Sequence, residues 1–216
     1  MERAKLFAIL LALPCLLCGC ASYSRQDKAD ITPFQLAENI SFRKELISLN
    51  GVELSSLRQI TSNGEGLFIC DAGNSRIIRY DFESGKTTAL GQLGEFIEPA
   101  CIASSDSHLC VYDRGSSRIQ ALNFDGEPIW EHCLDGEFDF LSEVVGVEIC
   151  DDGAVYFSLI AYDKHTSSSG IYQLKNDKLK KISDYTVGAL CSGGENGNLY
   201  LCDTKGSAVY KPVKNE

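Results

Sequence analysis

At 216 residues with 44% apolar content, the chain is long enough to bury a core and too apolar for a disordered polymer. Twenty Lys and Arg stand against 30 Asp and Glu, a formal net charge of −10. That balance excludes a general binder of nucleic-acid backbone, which depends on concentrated positive charge.

The first element lies at the N-terminus, where Arg3 and Lys5 precede a leucine-rich run from Leu6 to Leu17, followed by Cys18, Gly19 and Cys20. A basic start, an apolar stretch and small residues form the pattern of an export signal. Such a run rises only about 18 Å as a helix, short of a hydrocarbon core of about 30 Å, which disfavours a permanent transmembrane helix. Leu17-Cys18-Gly19-Cys20 resembles the bacterial lipobox, whose cysteine takes a lipid through a thioether and becomes the new N-terminus. The resemblance implies a signal peptide over residues 1–19, lipidation at Cys20, and a polar tether through residue 38. It also implies a place in the bacterial cell envelope, anchored by lipid on the extracytoplasmic side of a membrane. Soluble secretion after ordinary cleavage is the alternative.

Residues 39–216 read as one β-rich domain. Ile40–Leu49 alternates apolar and polar residues as a half-buried strand does. Beyond it, short apolar runs recur at Leu67–Asp71, Leu109–Asp113, Val155–Leu159 and Leu199–Asp203, spaced by 42, 46 and 44 residues. They divide the domain into units of about 54–97, 98–140, 141–184 and 185–216. In the second unit, strands are expected over Pro99–Ser104, Leu109–Asp113, Arg118–Asn123 and Pro128–Leu134. Asp125-Gly126 there reads as a tight primed hairpin turn. The first unit repeats the plan with turns at Asn63-Gly64 and Ser84-Gly85, the third with Asp152-Gly153, and the fourth with Asn196-Gly197.

No window beyond the signal keeps a helical apolar period over three turns, so the fold class is all-β. A repeat of this length with four short strands is the signature of β-propeller blades, each of which buries its faces against neighbours. The expected architecture is a propeller-like array of about four four-stranded blades. The fourth unit ends after its third strand, near Ala208, and Ile40–Leu49 could supply the missing outer strand and close the ring. The alternative is an open or truncated part of a six-bladed propeller.

Asp71-Ala-Gly-Asn-Ser-Arg-Ile-Ile-Arg-Tyr-Asp81 resembles the core of an NHL repeat, and the stretch from Asp113 to Asn123 is a looser copy. The third and fourth units keep the strand pattern without the motif. The chain is thus similar to bacterial lipoproteins with NHL-like or TolB-like propellers. The resemblance implies that Asp71, Asn74, Arg76, Asp113 and Arg118 brace the turn between second and third strands, with Asp and Arg in contact.

In such a fold, the loops joining second to third strands and fourth to next first strands share one face. The widest departure from the repeat falls there, between Leu159 and Ile171, and presents Tyr162, Asp163, Lys164 and His165 as candidate ligand-binding residues. A Ser-rich surface excursion is the plainer reading of the same segment. Glu53, Glu98, Glu143 and Asp184 each precede an expected first strand, and convergent carboxylates suit Ca²⁺. A metal-dependent lactonase- or lyase-like enzyme would need them. Solvated caps at blade junctions are the plainer reading.

Three histidines give no support to a two- or three-His metal site: His108 falls in an outer turn and His132 in an outer strand. Of ten cysteines, seven remain beyond the signal and Cys20. Cys70, Cys101, Cys110, Cys150, Cys191 and Cys202 sit in apolar runs and read as small buried hydrophobes. Nothing resembles a Ser-His-Asp arrangement, a P-loop or a dinucleotide fingerprint, and no cofactor is expected. The favoured reading is a non-catalytic, lipid-anchored propeller that binds a protein, peptide or glycan through its loop face.

Overall fold

The computed structural model describes residues 49, 51–91, 94–138, 142–150, 152–162, 168–184, 189–193, 198–203 and 208–210. They belong to one compact unit, Ile47–Glu216. The expected signal, Cys20, the tether and all but the last residue of the Ile40–Leu49 strand lie outside the described residues.

Four antiparallel sheets follow one another along the chain, and in each the strand order in space is the order in sequence. The first holds β1 (Leu57–Ser62), β2 (Gly66–Asp71), β3 (Arg76–Asp81) and β4 (Thr87–Leu90). The second holds β5 (Pro99–Ser104), β6 (Leu109–Asp113), β7 (Arg118–Leu122) and β8 (Pro128–Cys133). The third holds β9 (Ser142–Ile149), β10 (Val155–Ala161), β11 (Gly170–Lys175) and β12 (Lys178–Ser183). The fourth has three strands among the described residues: β13 (Ala189–Gly193), β14 (Asn198–Asp203) and β15 (Ala208–Tyr210). The expected strands of the second unit are therefore observed to within a residue at each end.

Why the middle strands read as continuous apolar runs is visible in β6, whose five residues are all buried. Successive side chains point to opposite faces, and both faces of this sheet are covered. Leu109 and Val111 pack with Phe68, Cys70, Ile77 and Ile102 toward the first sheet. Cys110 and Tyr112 pack with Val147, Val155 and Phe157 toward the third. Of the six thiols expected in the core, Cys70, Cys101, Cys110 and Cys150 are buried, while Cys133 on β8 is exposed; the side chains of Cys191 and Cys202 lie outside the described residues. The strand farthest from β9 in the third sheet, β12, carries Lys178, Lys180 and Lys181, and charges of this kind discourage pairing with a foreign strand.

One turn differs from expectation. At Asp125-Gly126 only the glycine takes positive φ, +88°, so the turn is not of the primed type. Asn123 organises it instead, its side-chain oxygen accepting from the backbone N–H of Asp125 and Glu127 while Gly126 N–H returns to the Asn123 carbonyl. The primed geometry occurs between β11 and β12, where Asn176 and Asp177 have φ of 51° and 58°. Asn and Asp tolerate that region by bonding locally, which glycine-based pattern reading overlooks.

Candidate functional site

At one end of the sheets the β2–β3 turn meets the segment before β1 and the β6–β7 turn meets the β4–β5 connection, and a buried aspartate fixes each pair. Asp71, fully buried, accepts from Ser55 N–H (2.7 Å), Asn74 Nδ2 (2.9 Å) and Arg76 Nε (2.8 Å). Arg76 and Asn74 also donate to the Glu53 carbonyl, at 2.7 and 3.1 Å. Burial works against the Asp71 charge, but the bonds from Asn74, Ser55 and Arg76 outweigh it and hold the carboxyl below its ordinary range.

The same brace recurs in the second unit. Asp113 accepts from Ile97 N–H (3.0 Å), Glu98 N–H (2.7 Å) and Ser116 Oγ (2.7 Å). Arg118 donates to the Glu95 carbonyl as Arg76 does to that of Glu53. The expected Asp113–Arg118 contact is replaced. Ser116 occupies the place of Asn74, and Arg118 pairs with Glu131 on β8 at 2.8 Å. In the third unit Leu159 stands where the aspartate would be and enters the core.

Next to these braces the strands β1, β5 and β9 depart from regular pairing at one level. Against β2, the register shifts between Leu57 and Ile60, so Arg58 and Gln59 face Cys70 together. Against β6 it shifts between Pro99 and Cys101, leaving Ala100 unpaired. Against β10 it shifts at Ser158 and Leu159, which pair with Gly146 and Val144 and skip Val145. A bulge re-aims the side chains it contains. All four bulged residues line one cleft of about 360 Å³, completed by Cys101, Arg114, Glu143 and Val144.

A chain of polar contacts crosses this mouth from the first sheet to the third. Arg58 Nη2 donates to Glu98 Oε1 (3.1 Å), and Arg114 engages both oxygens of Glu98. Arg114 Nη1 also reaches Glu143 Oε1 (3.2 Å), and Tyr162 Oη donates to Glu143 Oε2 (2.9 Å). The Arg114 guanidinium beside Glu98 holds that carboxyl below the usual range, and Glu98 in turn raises Arg114. The Glu143 carboxylate raises the Tyr162 phenol. Burial, with Glu143 nearby, pushes the Cys101 thiol up to about 12, so the sulfur facing the cleft is protonated and donates to the Val144 carbonyl.

Of the residues singled out in the sequence, Tyr162 stands at this mouth, whereas Asp163, Lys164 and His165 lie outside the described residues. The third unit's excursion is shorter than expected, because Ile160 and Ala161 continue β10 and Gly170 opens β11. Glu98 and Glu143 are joined through Arg114, and Glu143 lies inside β9 rather than before it. Glu53 offers its carbonyl to the brace, and Asp184 pairs with Lys181 at 2.7 Å after the end of β12. Among the described residues, no three His, Cys, Asp or Glu side chains are grouped to hold a metal ion. His108 bonds Ser107 in the β5–β6 turn, and His132 on β8 bonds Asp177 of the third sheet at 2.6 Å. Sequence reasoning missed Arg58, Gln59 and Arg114. Arg114 directly follows a motif aspartate, and that adjacency was the one available signal.

No protein-family model matches the sequence, and no curated protein matches it. Solved structures do share its fold. A streptogramin B lyase superposes with a TM-score of 0.56 at 14% identity, covering 76% of this chain and 53% of that one. Virginiamycin B lyase from Staphylococcus aureus gives 0.54 at 16% identity, covering 74% and 53%. A calcium-binding protein, regucalcin, from Agrobacterium tumefaciens gives 0.52 at 15% identity, covering 77% and 57%. The fold is a β-propeller. The chain spans just over half the length of each of these three structures.

Proposed function

We propose that this chain is a non-catalytic β-propeller, tethered through Cys20 to the extracytoplasmic side of a bacterial membrane, that binds a protein, peptide or glycan through the mouth described above. The observation that carries the reading is the state of the mouth's reactive groups. Glu98 and Glu143 are engaged by Arg114, and the Cys101 thiol is protonated, so among the described residues no side chain there is poised as base, nucleophile or metal ligand. Two of the structural neighbours are lyases and one binds calcium, but at these identities they speak for the fold alone.

The rim favours a protein or peptide over a glycan. Leu57, Ile97 and Tyr162 are 52, 57 and 39% exposed around Arg58 and Arg114. Exposed apolar and aromatic side chains beside arginines are the composition of interface hot spots.

A photo-crosslinking amino acid at position 162 or 97 in bacterial cells should capture a discrete partner. The same group at Phe82, in the β3–β4 turn at the opposite end of the sheet, should not. Equal capture from both ends, or none from the mouth, removes the reading. Mass spectrometry of the mature N-terminus should find an acylated Cys20; an unmodified N-terminus elsewhere removes the anchor.

A further inference from the structure

We infer that the bulge-lined cleft recognises the carboxylate of a peptide, with Arg58 as its receptor and the Gln59 amide as a second donor. The inference rests on the proposed binding role of the mouth and follows from which hydrogen-bonding capacity is already used there.

The carboxylate acceptors of the cleft are engaged. Glu143 takes Arg114 on one oxygen and Tyr162 on the other, and Glu98 takes Arg114 on both oxygens and Arg58 on one. Arg114 is engaged too, donating through Nε, Nη1 and Nη2. It is a fixed organiser rather than a receptor.

The donors on β1 differ. Among the described residues Arg58 is bonded through Nη2 alone and remains 43% exposed. Gln59 Oε1 accepts from Ile102 N–H at 3.1 Å, which fixes the amide so that its nitrogen is the group left to offer. The bulge brings these two neighbours, which would otherwise point to opposite faces, to the lining of one cleft.

Among the described residues, a cleft whose remaining side-chain capacity is a guanidinium edge and an amide N–H₂ favours an acceptor-only, planar anion, and a carboxylate matches that fork. The apolar floor of Ala100, Val144 and Val145 suits the carbon next to the carboxylate, and the volume suits one or two residues rather than a folded surface. The exposed Ile97 and Leu57 at the rim suit the residues that precede it.

The full-length chain in detergent, titrated against fluorescein-labelled hexapeptide pools and read by anisotropy, tests this. One pool lacks Asp and Glu and has a free C-terminus; a second is amidated and ends in Asp; a third is amidated and lacks acids. Labelled glucuronate is the fourth probe. The first or second pool is expected to bind about tenfold or more tighter than the third, and R58Q should abolish that difference. Which of the two binds tells a terminal from a side-chain carboxylate. R58K should recover only part of it, since an ammonium cannot make the fork.

Equal affinity for the acidic and acid-free pools overturns the inference while leaving peptide binding at the mouth intact. Binding of glucuronate alone, a difference that survives R58Q, or no binding by any pool also overturns it. The broader binding role fails separately, through the crosslinking result.

Discussion

One carboxylate holds two loops at each brace. Asp71 gathers three donors from the segment before β1 and from the β2–β3 turn, in a position with no access to water. Asp71→Ala would leave a backbone N–H, an amide and part of a guanidinium without their acceptor. The expected loss is about 3 kcal/mol by urea unfolding, and Asp113→Ala should cost a similar amount. Losses under about 1 kcal/mol for both would show that the motif does not carry the loops. The thiols allow a second test at this scale. Burial raises Cys70, Cys101 and Cys110 well above the ordinary thiol range, whereas Cys133 is exposed. Native alkylation followed by peptide mapping should therefore label Cys133 while sparing those three until the protein unfolds. Labelling of Cys110 at the rate of Cys133 would contradict the packing between the second and third sheets.

At the scale of elements, a 3-10 turn and the loop that crosses it explain a motif glycine. A Cβ on Gly115, in the turn Arg114–Ser116, would meet Ile97 Cγ2 at 2.5 Å and Glu98 N at 3.0 Å. Gly115→Ala should cost about 1–3 kcal/mol in a thermal or urea melt and displace Glu98 from Arg114. An unchanged melt would mean that the loop yields freely. The same turn shows what could be read in advance. Strands such as β5 to β8 were legible because apolar runs and turn residues are local signals. The brace was legible in its aspartates, but the Arg118 partner was not, because Ile97 N–H and Ser116 Oγ together occupy the Asp113 oxygen that an arginine was expected to reach. The bulged lining of the cleft was not legible. Its bulges at Arg58–Gln59, Ala100 and Val145 arise from how two strands pair, which neither strand encodes alone. Tyr162 was found through the length of its loop, yet its hydrogen bond to Glu143 could not be foreseen from two residues 19 apart.

Across the molecule, neighbouring sheets are joined by side chains rather than by backbone ladders. Gln59 reaches Ile102 N–H, Thr61 reaches Ser104, and Cys101 reaches the Val144 carbonyl, so β1, β5 and β9 are stitched in sequence. The belt from Arg58 through Glu98, Arg114 and Glu143 to Tyr162 spans the same three sheets at the mouth. Glu98 is central to it, and its folded-state pKa lies below the unfolded value of about 4.3. A carboxyl lowered on folding contributes stability above its unfolded pKa and loses that contribution as pH falls through its folded pKa. Glu98 is about one-third exposed, so screening limits its contribution to roughly 1 kcal/mol. Glu98→Gln should therefore be less stable than wild type between about pH 5.5 and 7 by roughly that amount. The gap should close as pH drops below about 4, where the wild-type carboxyl takes up the proton that makes it resemble the amide. Urea midpoints for both proteins from pH 3 to 7 measure the gap directly. A gap independent of pH would mean that Glu98 acts by shape alone and that the belt does not join the sheets through charge.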